Sequence, residues 1–231
     1  TWVIPVGDDY SNYASCLLLA DGLIQAGHAA TILICIGGNW TRNVDYHTPQ
    51  SVSAADGAGA AVIAMSDDVC KWYVADQCTV TDSSYYGSMY TDGLTLAASP
   101  PLQGYSTVYS PHFFQITQQG MNGFKSFGAQ EALGAVTGLL QKTGLTGDDI
   151  SFMPHQTSQR LIAYWHDNLS PKPAQMISTI EKFANVTVAT HALNLAWYEE
   201  NAGIEKDKLV MLALGPDMHA NAMLLQRNET T

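Results

Sequence analysis

The amino-acid sequence predicts an α/β fold. Short, continuous apolar runs of strand length alternate with helical patterns that end at glycine. Composition agrees: of 231 residues, 46% are hydrophobic and only 13% charged. That charged share is about half the usual one. It suits a layered fold with buried sheets and rules out a disordered chain or a coiled coil.

The elements follow in order. The apolar stretch Trp2-Val3-Ile4-Pro5-Val6 reads as the end of a strand, and Gly7-Asp8-Asp9-Tyr10-Ser11-Asn12 as a turn rich in helix-capping residues. Residues 13–26 read as a helix, with Cys16, Leu17, Ala20, Leu23 and Ile24 at helical spacing and Gly27 as its stop. Residues 31–36 are an unbroken apolar run, the pattern of a strand covered on both faces. Residues 37–50 form a loop, and the glycine turn from Asp56 leads into a second buried strand ending near Ala64. Residues 67–109 are irregular, with room for antiparallel strands such as 72–74. Ser99-Pro100-Pro101 and Gly104 mark a crossing between two units, 1–98 and 99–231. In the second unit, 124–143 reads as an amphipathic helix ended by Gly144. A short strand at 151–154, a helix at 156–169 and a helix covering at least 190–201 follow. Buried strands at 209–214 and 220–225 complete it.

Net charge is −11 and the isoelectric point near 4.8, which argues against non-specific nucleic-acid binding and against docking on anionic lipid. No apolar run is long enough to span a bilayer. The four cysteines lack metal-ligand or redox spacing, and Cys35, inside an apolar run, is expected as a buried reduced thiol. His28, His47, His112, His166, His191 and His219 show no ligand spacing, so no metal site is expected. The expectation is a cytoplasmic protein of a reducing compartment. The abrupt start at Thr1, inside an apolar stretch and without an initiator Met, predicts a further segment ahead of it.

Four ordered segments resemble one family. Pro154-His155-Gln156-Thr157-Ser158-Gln159-Arg160-Leu161-Ile162 is similar to the Pro-His-Gln-Ala-Asn-x-Arg-Ile segment of ketoacyl synthase III enzymes. Gly144-Leu145-Thr146-Gly147-Asp148-Asp149-Ile150 resembles their Gly-Leu-x-x-Asp-Asp-Ile lead-in. Asn185-Val186-Thr187-Val188-Ala189-Thr190 resembles their Gly-Asn-x-Ser-Ala-Ala-Ser/Thr segment, and Asp56-Gly57-Ala58-Gly59-Ala60 their glycine turn.

The resemblance implies a thiolase-type layered αβαβα fold, here the end of the first half and the complete second half. It implies an acyltransferase acting on a coenzyme A or carrier-protein thioester, in fatty-acid-like or polyketide-type metabolism. The thioester of coenzyme A or phosphopantetheine is then substrate, and no cofactor is needed. Partners would be acyl-CoA or an acyl carrier protein, and a homodimer or a heterodimer with a homologue. In such enzymes a Cys thiolate at a helix N-terminus takes the acyl group, while a His and an Asn polarise the thioester carbonyl. The match carries the His onto His155 and the Asn onto Asn185. Arg160 falls where relatives face the phosphopantetheine-bearing partner, beside Gln156 of the same motif. Phe183 is His in some relatives, Ala184 replaces a Gly, and the Gly215-Pro216 loop carries fewer glycines where the backbone passes the substrate.

The nucleophile is the departure. An ungapped match back from Gly27 puts Tyr10 on the Cys position, followed by Ser11 and Asn12. A phenol titrates near ~10, against about 8.5 for a thiol, and is bulkier. Tyr10 is then a plug, a hydrogen-bonding group in an altered transfer, or itself the nucleophile, and Ser11 is the replacement if the match slips by one residue. A plug favours a second reading of the whole chain: a non-catalytic partner of a Cys-bearing homologue.

Overall fold

The computed structural model describes residues 2–65, 70–91, 113–216 and 218–228. A single 3-10 turn, Asp9–Ser11, leads into helix α1 (Asn12–Gln25). Strands β1 (Thr31–Gly38) and β2 (Gly57–Ala64) then pair antiparallel, Thr31 opposite Ala64 and Gly38 opposite Gly57. One face of this two-stranded sheet packs Ile34 and Ile36 against Tyr13, Leu17 and Ala20 of α1 and Ala192 of helix α6 (Thr190–Asn201). The glycines of the Asp56 turn serve that packing. A Cβ on Gly59 would lie 2.6 Å from that of Ala192, and one on Gly57 2.8 Å from that of Val186, so only glycine lets these segments close on the strand backbone.

Three expectations need correction here. The strand pair is covered on one face only: Leu33 and Val62 are 63% and 69% exposed, and Cys35 is exposed rather than buried. The period-2 side-chain alternation sends one set of apolar residues inward and leaves the other with no covering layer among the described residues. Residues 2–8 form no strand; Trp2 and Val3 are exposed, and without a partner strand beside it an extended segment has no ladder to join.

The rest of the chain builds a five-stranded sheet in the order β3-β9-β8-β6-β7. Its strands are β3 (Trp72–Thr81), β6 (Ser151–Pro154), β7 (Gln175–Met176), β8 (Lys208–Gly215) and β9 (His219–Arg227). β6 runs parallel to both β7 and β8, whereas β9 is antiparallel to β8 and to β3. The boundary expected at 98/99, with Ser99, Pro100, Pro101, Gly104 and His112, lies outside the described residues. β3, ahead of that boundary, is hydrogen-bonded into the second unit's sheet. A small antiparallel pair, β4 (Met89–Thr91) and β5 (Phe114–Ile116), joins segments from either side of that boundary.

Both faces of the five-stranded sheet are buried. Met153, Leu209, Met211 and Met223 face α1 and α6, while Phe152, Val210, Leu212 and Leu214 face helices α3 (Ala132–Thr143) and α4 (Gln159–Asn168). Double burial is why β8 reads as an unbroken apolar run. The single helix expected over 124–143 is α2 (Gln118–Ser126), a π turn (Phe127–Glu131) and α3. A π turn frees a carbonyl from the helical ladder. Here Trp165, fully buried, donates its indole N–H to Gly128 O at 3.0 Å. α4 starts at Gln159 rather than 156 because Ser158 caps it, its Oγ accepting from Leu161 N–H at 3.2 Å.

Candidate active site

The site lies where α1, β6 and β8 meet. Tyr10 sits in the turn that opens α1, at the positive end of that helix dipole. His155 is the first residue after β6, and its backbone N–H donates to Leu212 O of β8 at 2.7 Å. The two side chains are brought together. The phenol ring lies on the imidazole with centroids 5.2 Å apart and planes 16° apart. Trp40 meets Tyr10 edge-on at 6.5 Å, and Phe114 meets Trp40 at 5.1 Å. His155 is wholly buried, yet among the described residues neither ring nitrogen has a hydrogen-bond partner. So neither the Tyr10 hydroxyl nor Ser11 Oγ bonds to the imidazole. Ser11 itself is buried at the N-cap of α1, its Oγ without a partner among the described residues.

Burial pushes the His155 imidazole down to about 3, with His191 adding to the shift. His191 is likewise lowered by burial, to about 4, partly offset by backbone acceptors at Leu212 and Met153. Both rings are therefore neutral in the folded protein at neutral pH, whereas in the unfolded chain they bind protons below about 6.5. Stability contributed by their neutral forms is present above that value and is lost as pH falls from about 6.5 toward 4. Each group contributes a slope of roughly 1.4 kcal/mol per pH unit. Urea denaturation at steps between pH 7 and 5 is expected to show this decline, and His191→Gln is expected to remove about half of it.

Asn185 follows α5 (Ile180–Phe183) in a strained turn. Ala184 adopts φ 57° and ψ −149°, a conformation that ordinarily requires glycine. The segment is pinned to the loop before β2: Asn185 N–H donates to Ser53 O at 2.8 Å, and Ala55 N–H to Asn185 O at 3.1 Å. Asn185 Oδ1 accepts from Thr187 N–H at 2.9 Å, which leaves Nδ2 as its donor face. Two and three residues further on, Thr187 and Val188 line a cavity of about 310 Å³ together with Tyr10, Trp40, Phe114 and Pro216. Relief of strain at Ala184 exceeds the entropic cost of a glycine. Ala184→Gly is therefore expected to raise the urea midpoint, by the equivalent of about 1 kcal/mol.

The other residues singled out in the sequence divide between the surroundings of this site, where Gln156 Nε2 donates to Ala184 O at 3.4 Å, and the surface. Gln156 is fully buried, and its Oε1 accepts from Thr179 N–H at 2.6 Å, Asn194 Nδ2 at 2.9 Å and Ser178 Oγ at 3.0 Å. Arg160 is exposed in the first turn of α4. Phe183 is half-buried under the Lys182 ammonium, 5.3 Å from its ring centroid. Gly215 ends β8, just before Pro216 in the cavity wall. Trp40 and Phe114 carry no sequence signal because they stand in a single 3-10 turn and a three-residue strand, too short for periodicity. His191 sits one residue beyond the Asn185 segment, which was the available signal. Among the described residues no cluster of His, Cys, Asp or Glu could hold a metal, and no helix is long and apolar enough to cross a membrane.

Comparison with known proteins decides the family. Residues 11–80 match the profile of 3-oxoacyl-(acyl-carrier-protein) synthase III, and residues 140–227 that of its C-terminal part. The chain belongs to this ketoacyl synthase III family. A relative in Agrobacterium fabrum, named beta-ketoacyl-(acyl-carrier-protein) synthase III, is 28% identical over 228 residues, covering 94% of this chain and 65% of the relative. Among solved structures, 3-oxoacyl-(acyl carrier protein) synthase III from Pseudomonas aeruginosa superposes with a TM-score of 0.78 at 20% identity, covering 97% of this chain and 66% of its own. A priming beta-ketosynthase from a polyketide biosynthetic pathway gives 0.80 at 20% identity, covering 98% and 66%. The chain thus spans about 65% of the length of the curated relatives it matches. The layered α/β arrangement is the thiolase-type fold of these ketoacyl synthase III structures.

Proposed function

We propose that this ketoacyl synthase III relative is an acyltransferase that uses an acyl-CoA or acyl-carrier-protein thioester without parking the acyl group on its own chain. One observation carries the reading: His155 is buried and neither ring nitrogen has a hydrogen-bond partner among the described residues. Buried polar groups ordinarily find a partner, and an exception calls for an explanation. Here the explanation is a thioester carbonyl as the missing acceptor of a neutral imidazole N–H. Asn185 Nδ2 is the second donor, and together they stabilise negative charge on the carbonyl oxygen as an acceptor attacks. The phenol of Tyr10 must swing off His155 to admit the carbonyl. Transfer then runs directly from thioester to an alcohol or amine acceptor: the acceptor oxygen or nitrogen bonds to the carbonyl carbon, the C–S bond breaks, and the acceptor's proton leaves with the thiol.

The stacking of Tyr10 over His155 favours a second reading, a non-catalytic subunit that shapes the pocket of a Cys-bearing homologue. Release of free coenzyme A from acyl-CoA in the presence of alcohol and amine acceptors separates the two. Turnover that falls at least ~100-fold in His155→Ala supports the transferase. Absence of turnover together with a stable complex with a homologue supports the subunit.

A further inference from the structure

We infer that His191 is a positioning residue for His155, fastening the strand rung from which the working imidazole springs. This rests on the reading of His155 given above, but its geometry stands apart from any activity. The β6–β8 ladder ends at the pair Pro154 and Leu212, and proline contributes no N–H there. What holds the end is the His155 N–H to Leu212 O bond at 2.7 Å. His191, buried on the first turn of α6, places Nε2 3.0 Å from that same Leu212 oxygen. One imidazole therefore ties α6 to the end of the β6–β8 ladder through Leu212 O. Its ring centroid is 6.4 Å from that of His155, so Tyr10, His155 and His191 form a continuous row of rings.

The inference has chemical content. Leu212 O accepts a backbone and a side-chain donor together, which fixes the peptide that orients His155. A neutral His191 has one proton to give, and the bond to Leu212 O assigns it to Nε2. An apolar residue at 191 would fill space but leave Leu212 O with one fewer donor and the rung free to fray.

The test is imidazole ¹⁵N NMR with amide hydrogen exchange on the full chain at pH 7, needing no substrate. The wild-type protein is expected to show His191 neutral with the proton on Nε2. In His191→Leu the His155 amide is expected to lose protection by about tenfold, the change for losing one buried hydrogen bond. The His155 ring resonances should shift with it, while amides of the β3–β9 pairing keep their protection. His191→Gln, whose amide can still donate to one carbonyl, is expected to restore most of the protection. Unchanged His155 resonances and protection in a folded His191→Leu variant would overturn the inference, as would a wild-type His191 protonated on Nδ1 alone. If the leucine variant does not fold, the wild-type tautomer and the glutamine variant decide. Because these readouts do not use turnover, an inactive wild type sinks the transferase reading and leaves this result standing.

Discussion

Tyr10→Cys is expected to turn a protein that carries no acyl group into one that does. The substitution puts a thiol at the N-terminus of α1, where the helix dipole lowers its pKa, and removes the ring that lies over His155. The neutral imidazole, its nitrogens without a partner among the described residues, can then donate to the carbonyl of the incoming thioester. Intact mass after incubation with acyl-CoA should show a stoichiometric adduct in the variant and none in the wild-type chain. A variant with an accessible thiol and no adduct would mean that position 10 is not where a ketoacyl synthase III nucleophile belongs.

The second large effect concerns the fold. Trp165 is among the largest fully buried side chains and also satisfies the carbonyl freed by the π turn. Trp165→Ala is expected to cost about 3–5 kcal/mol from the cavity, and the orphaned Gly128 oxygen adds to that. Trp165→Phe keeps much of the packing and isolates the loss of the hydrogen bond, about 1–3 kcal/mol. Urea denaturation of the two variants checks both figures. A phenylalanine variant as stable as the wild type would show that the Gly128 carbonyl finds another partner.

Much of this architecture was legible in the residues, and the exceptions have physical causes. The apolar run of β8, the helical spacing of α1 and the αL glycine after α3 (Gly144, φ 70°) each encode their element locally. The bare face of β1 was not legible, because an apolar run reports what a strand can bury, not whether anything lies over it. The π turn leaves apolar spacing almost unchanged, so 124–143 reads as one helix. Strain at Ala184 is set by the loop before β2, whose backbone holds Asn185, and no property of alanine announces it. In the site, His155 and Asn185 stand in recognisable motifs. The flat contact of Tyr10 on His155, the Trp40 and Phe114 rings beside it and the His191 bridge arise only when distant segments fold together. Gln156 belongs to its motif for a reason the motif does not state: its carboxamide oxygen gathers donors from Ser178, Thr179 and Asn194.

The most direct test of the central claim is a crystal structure of the full chain with an acyl-CoA analogue whose thioester sulfur is replaced by methylene. The account predicts the ketone oxygen within hydrogen-bond distance of a His155 ring nitrogen, about 2.7–3.2 Å. It also predicts Tyr10 rotated off the imidazole and no covalent bond to the protein. An analogue bound elsewhere, with Tyr10 still stacked on His155, would contradict it.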